Sequence, residues 1–359
     1  MNIIIAPLNW GLGHATRMVP IIQSLLKQKV NVHLASDGEA LTVLKQSFPS
    51  LPATELPSYN IQYKHKSLLR NSFSLSVNML KAIPKEKKAI TILAKAIKAD
   101  TIISDNRYGC YTKFTKNIFI THQLNILTGN LAEKSINTIN QQLLKPFDEI
   151  WVPDYPNSPN LAGKLAHSSS LKKVKYIGGL SRLETFYTKN KTIDVLVILS
   201  GPEPQRSYFE AIIHQQFAKS TLKILIVRGK PQDTFPPKPN TINYASTSKL
   251  SLLIATSKVI ISRSGYSSIM DYAALGLFAA LDTKIIFVPT PGQPEQIYLA
   301  EKFMQDGLAL AADQDEFNWK VIQKKLKTMV QKTTSFPDDA LLDRVLANLT
   351  LENKRFSKS

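Results

Sequence analysis

The chain has 359 residues, more than one hydrophobic core usually organises, so two domains of roughly 150 to 180 residues are expected. Its single cysteine, Cys110, excludes an internal disulfide and any multi-cysteine metal site, and implies a reducing compartment. A balance of 45 Lys and Arg against 27 Asp and Glu gives a net charge of +18, so an anionic partner is expected: nucleic acid, lipid headgroups or a phosphorylated substrate.

The first half alternates apolar runs with helical patterns. Strands are expected at 2–6 and 30–35, with helices at 15–28 and 39–48 between and after them. The Met1-Asn2-Ile3-Ile4-Ile5 start lacks the basic flank and cleavage site of a signal peptide, and no apolar run reaches about 18 residues, so a cytoplasmic location is expected. Residues 64–98 carry nine basic residues: Lys64, Lys66, Arg70, Lys81, Lys85, Lys87, Lys88, Lys95 and Lys98. The apolar residues Leu68, Leu69, Phe73, Leu75, Met79, Leu80 and Ile83 interleave with them at near-helical spacing. Such a stretch reads either as a core-packed helix with a solvated lysine face or as a helix lying on an anionic membrane surface. No zinc finger or RNA-binding sheet signature occurs, so no nucleic-acid partner is expected.

Strands at 101–104, 118–121 and 149–152 and a polar helix at 127–144 complete an expected doubly wound parallel sheet. Pro153, Pro156, Pro159 and Ser168 to Ser170 give 153–173 the composition of a linker. A second sheet is expected from strands at 174–177, 193–199, 223–227, 241–244, 258–261 and 285–288, with helices at 208–219, 248–255 and from about 296. The expected division is therefore an N-terminal domain over 1–155 and a C-terminal domain over 174–337, with 352–359 a disordered tail.

Three loops carry residues suited to chemistry. After the first strand, Gly11-Leu12-Gly13-His14 opens a helix, where two glycines admit a substrate to the backbone and the helix N-terminus favours negative charge. A third glycine at the position the dinucleotide fingerprint requires is missing. His14 lies at the carboxyl end of a strand, where open sheets bind ligands, and its near-neutral pKa suits a base that deprotonates a hydroxyl. Asp105 follows a later strand of the same sheet and is placed to fix the imidazole tautomer. The competing reading gives His14 a turn-capping role or only an acceptor phosphate to bind, and makes Asp105 a helix cap. His122, Gln123 and Asn125 follow another strand and are candidates to line an acceptor site.

In the second half, 259–265 runs from a β-branched strand into Ser264-Gly265 and then a helix. Ser267 and Ser268 offer hydroxyls and N–H groups at the positive end of a helix opened by Ile269-Met270-Asp271, where a phosphate fits. Asp271, a turn further in, is placed to hold ribose hydroxyls. Gln293, Glu295 and Gln296 in the next loop offer groups for further hydroxyls.

Arg263-Ser264-Gly265-Tyr266-Ser267-Ser268-Ile269-Met270-Asp271 together with Glu295-Gln296 resembles the donor-binding signature of GT-B glycosyltransferases. The overall layout is most similar to family 28, which includes a lipid II-forming N-acetylglucosaminyltransferase and galactolipid synthases. The resemblance implies two Rossmann-like domains facing a cleft, closing about 153–173, and a C-terminal helix near 338–359 that crosses back to the first domain. It assigns the donor diphosphate to Arg263, Ser267 and Ser268, the ribose to Asp271, and the donor sugar to Glu295 and Gln296, with Ser264, Gly265 and Gln293 also in the donor site. By the same resemblance Gly201 lies in a phosphate loop in which prolines replace expected glycines, Arg182 offsets diphosphate charge, and Tyr244 and Ala245 contact uracil. His14 becomes the catalytic base, Asp105 its orienter, and Gly11, Gly13, His122, Gln123 and Asn125 the acceptor site. About six extra residues at 277–284 separate the signature helix from the next strand.

The implied function is an inverting, hexosyltransferase-type transfer from a nucleotide sugar, with UDP the expected nucleotide, to an acceptor hydroxyl, a lipid-linked acceptor being one candidate. No cofactor or metal is expected, since the six histidines are scattered and form no metal-ligand constellation, and residues 64–98 are the candidate contact with an inner membrane face. A hydrolase or epimerase acting on a nucleotide sugar, and a non-catalytic nucleotide-sugar or lipid-binding protein, are the alternatives. Some such hydrolases carry a comparable Gly-x-Gly-His-x-x-Arg loop, here ending at Arg17.

Overall fold

The computed structural model describes residues 1–59, 68–128, 131, 133–167, 171–186, 188–230, 233, 236, 238–337 and 340–356, with side chains left undescribed at 68–80 and 352–356. The chain forms two compact units, Met1–Arg182 with Pro337–Ser359, and Leu183–Phe336.

Unit 1 is built on seven parallel strands: β1 (Asn2–Pro7), β2 (Asn31–Ser36), β3 (Ala53–Glu55), β4 (Thr101–Asp105), β5 (Lys116–Ile120), β6 (Glu149–Val152) and β7 (Val174–Tyr176), in the order β3-β2-β1-β4-β5-β6-β7. Ile3, Ile4, Ile5, Ile102, Ile103, Phe119 and Trp151 are wholly buried, which is why these strands read as continuous apolar runs rather than alternating ones. Helices cover the sheet: α1 (Leu12–Lys27), α2 (Gly38–Ser47), α3 (Leu68–Ala96) and α4 (Glu133–Leu144). In α1, Met18, Ile21, Ile22 and Leu25 form the buried stripe at helical spacing. The order reverses where β1 meets β4, with Pro7 registered against Asp105, so the loops leaving these two strands diverge and open a crevice at their carboxyl ends.

The expected linker belongs to unit 1. Leu161, Ala162, Leu165 and Ala166 are fully buried, and the buried Asp154 carboxylate accepts the N–H groups of Tyr155, Leu161 and Ala162 at 2.7–2.9 Å. Strand β7 pairs with β6, so residues 174–177 close the first sheet instead of opening the second, and the boundary falls at 182–183. Proline content suggested a spacer; the buried carboxylate, which replaces a sheet ladder as the partner of these N–H groups, makes it a folded corner. Ser168 to Ser170 lie outside the described residues.

Unit 2 repeats the plan with β8 (Ile193–Ile198), β9 (Ile224–Val227), β10 (Thr241–Ile242), β11 (Ser257–Ser262), β12 (Lys284–Phe287) and β13 (Leu310–Ala311), all parallel, in the order β10-β9-β8-β11-β12-β13. Its helices are α5 (Gln205–Phe217), α6 (Thr247–Ala255), α7 (Tyr266–Ala274), α8 (Pro294–Gln305) and α9 (Trp319–Thr328). One core cluster joins Val195, Val197, Ile261 and Ile286 of the sheet to Phe209, Ile213, Trp319 and Ile322 of helices α5 and α9. The reversal lies at β8 and β11, with Ile198 registered against Ser262.

A last helix, α10 (Leu341–Phe356), is part of unit 1. It buries Leu346 and Leu349, and its Asp343 accepts a 2.6 Å hydrogen bond from Ser24 of α1. The helix runs through residues expected to be a disordered tail, as far as Phe356.

Candidate functional site

Each unit brings candidate side chains to its own order reversal. In unit 1, Gly11 caps α1 with φ 72°, a left-handed conformation that suits glycine. His14 then falls on the first turn. Its Nδ1 lies 3.0 Å from Asp105 Oδ1, an approach set by the pairing of β1 with β4.

Arg17, which the sequence reading left out of the site, completes the cluster. It sits three residues beyond His14 on the same face of α1, is 2% exposed, and donates from Nε to Asp105 Oδ2 at 2.6 Å and from Nη2 to Asp105 Oδ1. Its Nη2 also lies 3.0 Å from His14 Nδ1, and Nη1 3.4 Å from His122 Nδ1. Burial favours protonation of Asp105, but Arg17 and then His14 outweigh it and hold the carboxyl down at about 2. An ionised Asp105 accepts the His14 Nδ1 proton, which leaves Nε2 with its lone pair. Burial lowers the His14 pKa below 6.5; Asp105 opposes that effect and Arg17 reinforces it. At neutral pH His14 is therefore an uncharged base.

The remaining residues assigned to an acceptor are not equivalent. His122 is 7% exposed beside Arg17, and Gln123 is half-buried, its N–H bonded to Thr121 Oγ1. Asn125 is a correction: its amide donates to the carbonyls of Lys164 and His167, and its N–H to that of Leu165. It fastens the 161–167 corner and has no amide hydrogen left to donate to a substrate.

In unit 2, α7 begins at Tyr266, capped by Gly265, three residues earlier than expected. Ser267 and Ser268 thus lie inside its first turn, half-buried, and their hydroxyls make no hydrogen bond among the described residues. Asp271 follows one turn later, also half-buried. Ser264 is wholly buried and donates to the Gln296 carbonyl at 2.7 Å. Gln296 in turn accepts the Thr290 N–H at 2.8 Å and bonds Gln293. These contacts brace the loop before α8, so Gln293, Glu295 and Gln296 are brought to the same sheet edge as the α7 N-terminus.

Arg263 is the second correction. It is 1% exposed, and its guanidinium donates to the carbonyls of Val288, Pro289 and Gln205 and to Gln314 Oε1. Its carbon also lies 4.4 Å from the Phe209 ring centre. The Nη1 and Nη2 donors are thus occupied in tying β11, the loop after β12 and α5 together, while the buried Nε has no hydrogen-bond partner among the described residues. Burial lowers its pKa to about 10, against a raising effect of Asp315.

The loop after β8 places Gly201 at φ 93° beside Thr290. Here Glu203 pairs with Lys230 at 2.7 Å and with Arg206 at 3.2 Å, and accepts the Ser207 N–H. Burial raises this carboxyl, yet those partners lower it to about 2, so an internal carboxylate occupies the start of α5. Tyr244 and Ala245 follow β10 instead of ending it, half-buried and buried respectively. Arg182 is half-buried and is the last residue of unit 1's first segment. Among the described residues no group of three or more His, Cys, Asp or Glu is placed to hold a metal ion.

Two parallel sheets with these loops define the GT-B class of glycosyltransferase folds. The glycotransferase of kitacinnamycin covers 97% of this chain and 93% of its own with a TM-score of 0.65 at 12% identity. MurG of Acinetobacter baumannii covers 92% and 90% with a TM-score of 0.55 at 11% identity. Residues 195–341, which lie mostly in unit 2, match the model of the glycosyltransferase family 28 C-terminal domain. The UDP-N-acetylglucosamine–N-acetylmuramyl-(pentapeptide) pyrophosphoryl-undecaprenol N-acetylglucosamine transferase of Sulfurihydrogenibium sp. (strain YO3AOP1) is 28% identical over 148 residues. That match spans 41% of this chain and 41% of the relative.

Proposed function

We infer that the protein is an inverting glycosyltransferase that uses a nucleotide sugar, with UDP as the nucleotide. The observation that carries the reading is the His14–Asp105 contact of 3.0 Å at the order reversal of unit 1, in a chain whose residues 195–341 match the family 28 C-terminal domain. In this reaction the acceptor hydroxyl gives its proton to His14 Nε2 as its oxygen attacks the anomeric carbon. The bond from that carbon to the diphosphate breaks, UDP leaves with the electron pair, and the configuration inverts. Asp105 stabilises the imidazolium that forms. Charge on the departing diphosphate is met by the N–H groups at the start of α7 and by the Ser267 and Ser268 hydroxyls, fixed donors that need no reorganisation. Asp271 takes the ribose, Glu295 and Gln296 the donor sugar, and Tyr244 and Ala245 the base. Arg263 holds this frame from behind.

The test is calorimetric titration with UDP, followed by turnover of UDP-sugars with and without candidate acceptors. Absence of UDP binding sinks the reading. Efficient acceptor-free cleavage favours a hydrolase, a second reading that the His14 environment supports: a base whose pKa is lowered by burial, and further by Arg17, is as well suited to water as to a sugar hydroxyl.

A contact with anionic lipid belongs to the same proposal, in keeping with the undecaprenol-linked substrate in the name of the relative. Along the described half of α3, Lys81, Lys85, Lys88 and Lys95 are exposed on one face with Ile92, itself 61% exposed. No helix among the described residues is long and apolar enough to cross a membrane. Lys64 and Lys66 lie outside the described residues, as do the side chains of Leu68, Leu69, Arg70, Phe73, Leu75, Met79 and Leu80. Sedimentation with vesicles containing phosphatidylglycerol, compared with neutral vesicles, tests this contact, and charge reversal at Lys85 and Lys88 should weaken it.

A further inference from the structure

Two of the three tryptophans are core residues, Trp151 at 0% and Trp319 at 7% exposure; Trp10 is 45% exposed. It stands just after β1 and four residues before His14. Its indole N–H donates to no group among the described residues. An indole in this position forgoes a large burial gain, which a ligand would restore.

The chain leading into it is fixed at two consecutive residues. Leu8 N–H bonds the Asp105 carbonyl at 2.9 Å. Asn9 is gripped by the start of α2: its amide donates to Asp37 Oδ2 at 3.2 Å and its carbonyl oxygen accepts the Ala40 N–H at 3.3 Å. Gly38 makes room for this grip, since a Cβ there would lie 2.3 Å from Asn9 Nδ2. Asp37 is held by the buried Arg107, which also donates to Glu86 and to the Pro57 carbonyl. The indole is thus presented on a rigid mount before any ligand arrives, which limits the ordering cost of binding.

We propose that Trp10 is the specificity-determining residue of the acceptor site and that the acceptor is a saccharide, with the C–H face of a pyranose ring stacked on the indole. This rests on reading the His14 loop as the site that receives the acceptor. The polar neighbours decide the ligand class. Gly11, Gly13 and His14 follow the indole in sequence and add hydrogen-bonding groups to an aromatic face, a combination matched by a ring with an apolar face and hydroxylated edges. A hydrocarbon chain would leave those groups without partners.

Saturation-transfer NMR on the full chain, with the methyl glycosides of glucose, galactose, mannose and N-acetylglucosamine as probes and farnesol as the apolar control, tests the assignment. At least one glycoside is expected to bind the wild type and to protect the exposed indole from acrylamide quenching. Trp10→Leu should weaken that binding about tenfold and Trp10→Tyr should retain most of it, with melting temperature and UDP titration unchanged in both. The assignment is overturned if no glycoside binds, if farnesol alone protects the indole, or if Trp10→Leu binds glycosides as the wild type does. A protein that binds glycosides through Trp10 but gives no heat with UDP keeps this assignment and loses the transferase reading; heat with UDP and no glycoside binding does the reverse.

Discussion

The two sheet edges each bury an arginine, Arg17 in unit 1 and Arg263 in unit 2, and stabilise it by opposite means. Arg17 meets a carboxylate, Asp105, in a two-point contact that also takes in His14. Arg263 meets only carbonyl and amide oxygens, and no carboxylate among the described residues forms an ion pair with it. The first arrangement neutralises charge locally and leaves a poised, uncharged imidazole. The second leaves a positive charge in place, whose cost appears as a pKa lowered to about 10, near a helix N-terminus that has the same sign. One edge is suited to moving a proton, the other to attracting an anion.

The largest break in this contrast is expected at His14. His14→Ala should lower kcat/KM by roughly 10²- to 10⁴-fold, the usual worth of a general base, while UDP binding and melting temperature hold; UDP-sugar kinetics and a thermal scan check both. If activity survives, the base lies elsewhere. Removing charge partners should instead show in stability. Asp105→Asn strands Arg17 as an unpaired buried cation, at a cost of about 3 to 5 kcal/mol, measured by urea unfolding. Arg263→Met orphans four oxygens but strands no charge, so its cost, about 3 kcal/mol, should be the smaller and less sensitive to salt.

Much of the fold was legible because buried parallel strands announce themselves as β-branched runs such as Ile3-Ile4-Ile5 and Val195-Leu196-Val197. The short edge strands β3 and β13 were missed, since two or three residues carry no periodicity. The corner at 153–167 was misread because its order comes from one buried carboxylate, Asp154, that composition cannot reveal. At the site, His14 and Asp105 could be paired from their positions after two strands. Arg17 carried a signal as well, its spacing of three residues from His14, but a charged residue on a surface-type helix reads as solvated until its carboxylate partner is placed. Arg263 failed for the converse reason: sequence shows that a cation is present, not that main-chain carbonyls already occupy it.

A smaller effect concerns pH. Because the His14 pKa lies below 6.5, the base stays unprotonated at mildly acidic pH, and kcat/KM should fall only as pH drops through that lowered value. Arg17→Met removes a lowering influence and leaves the raising influence of Asp105, so the acid limb of its profile should move to higher pH. A limb that moves down, or stays, would mean that Arg17 does not act on the base. Asp105→Asn removes the raising influence and should shift the limb the other way.

The smallest effects separate two kinds of serine in unit 2. Ser267 and Ser268 hydroxyls make no hydrogen bond among the described residues, so replacing either with Ala should leave the melting temperature unchanged. If they bind the diphosphate, each substitution should weaken UDP by about 0.5 to 1.5 kcal/mol, a loss of roughly two- to twelvefold by calorimetry. Ser264 differs because its buried hydroxyl serves the Gln296 carbonyl. Ser264→Ala should cost about 1 to 3 kcal/mol of stability and, by loosening the loop that carries Gln293 and Glu295, weaken a UDP-sugar more than UDP itself. Equal losses for UDP and UDP-sugar in Ser264→Ala would separate that loop from sugar recognition and leave the serines of α7 as the only tested part of the donor site.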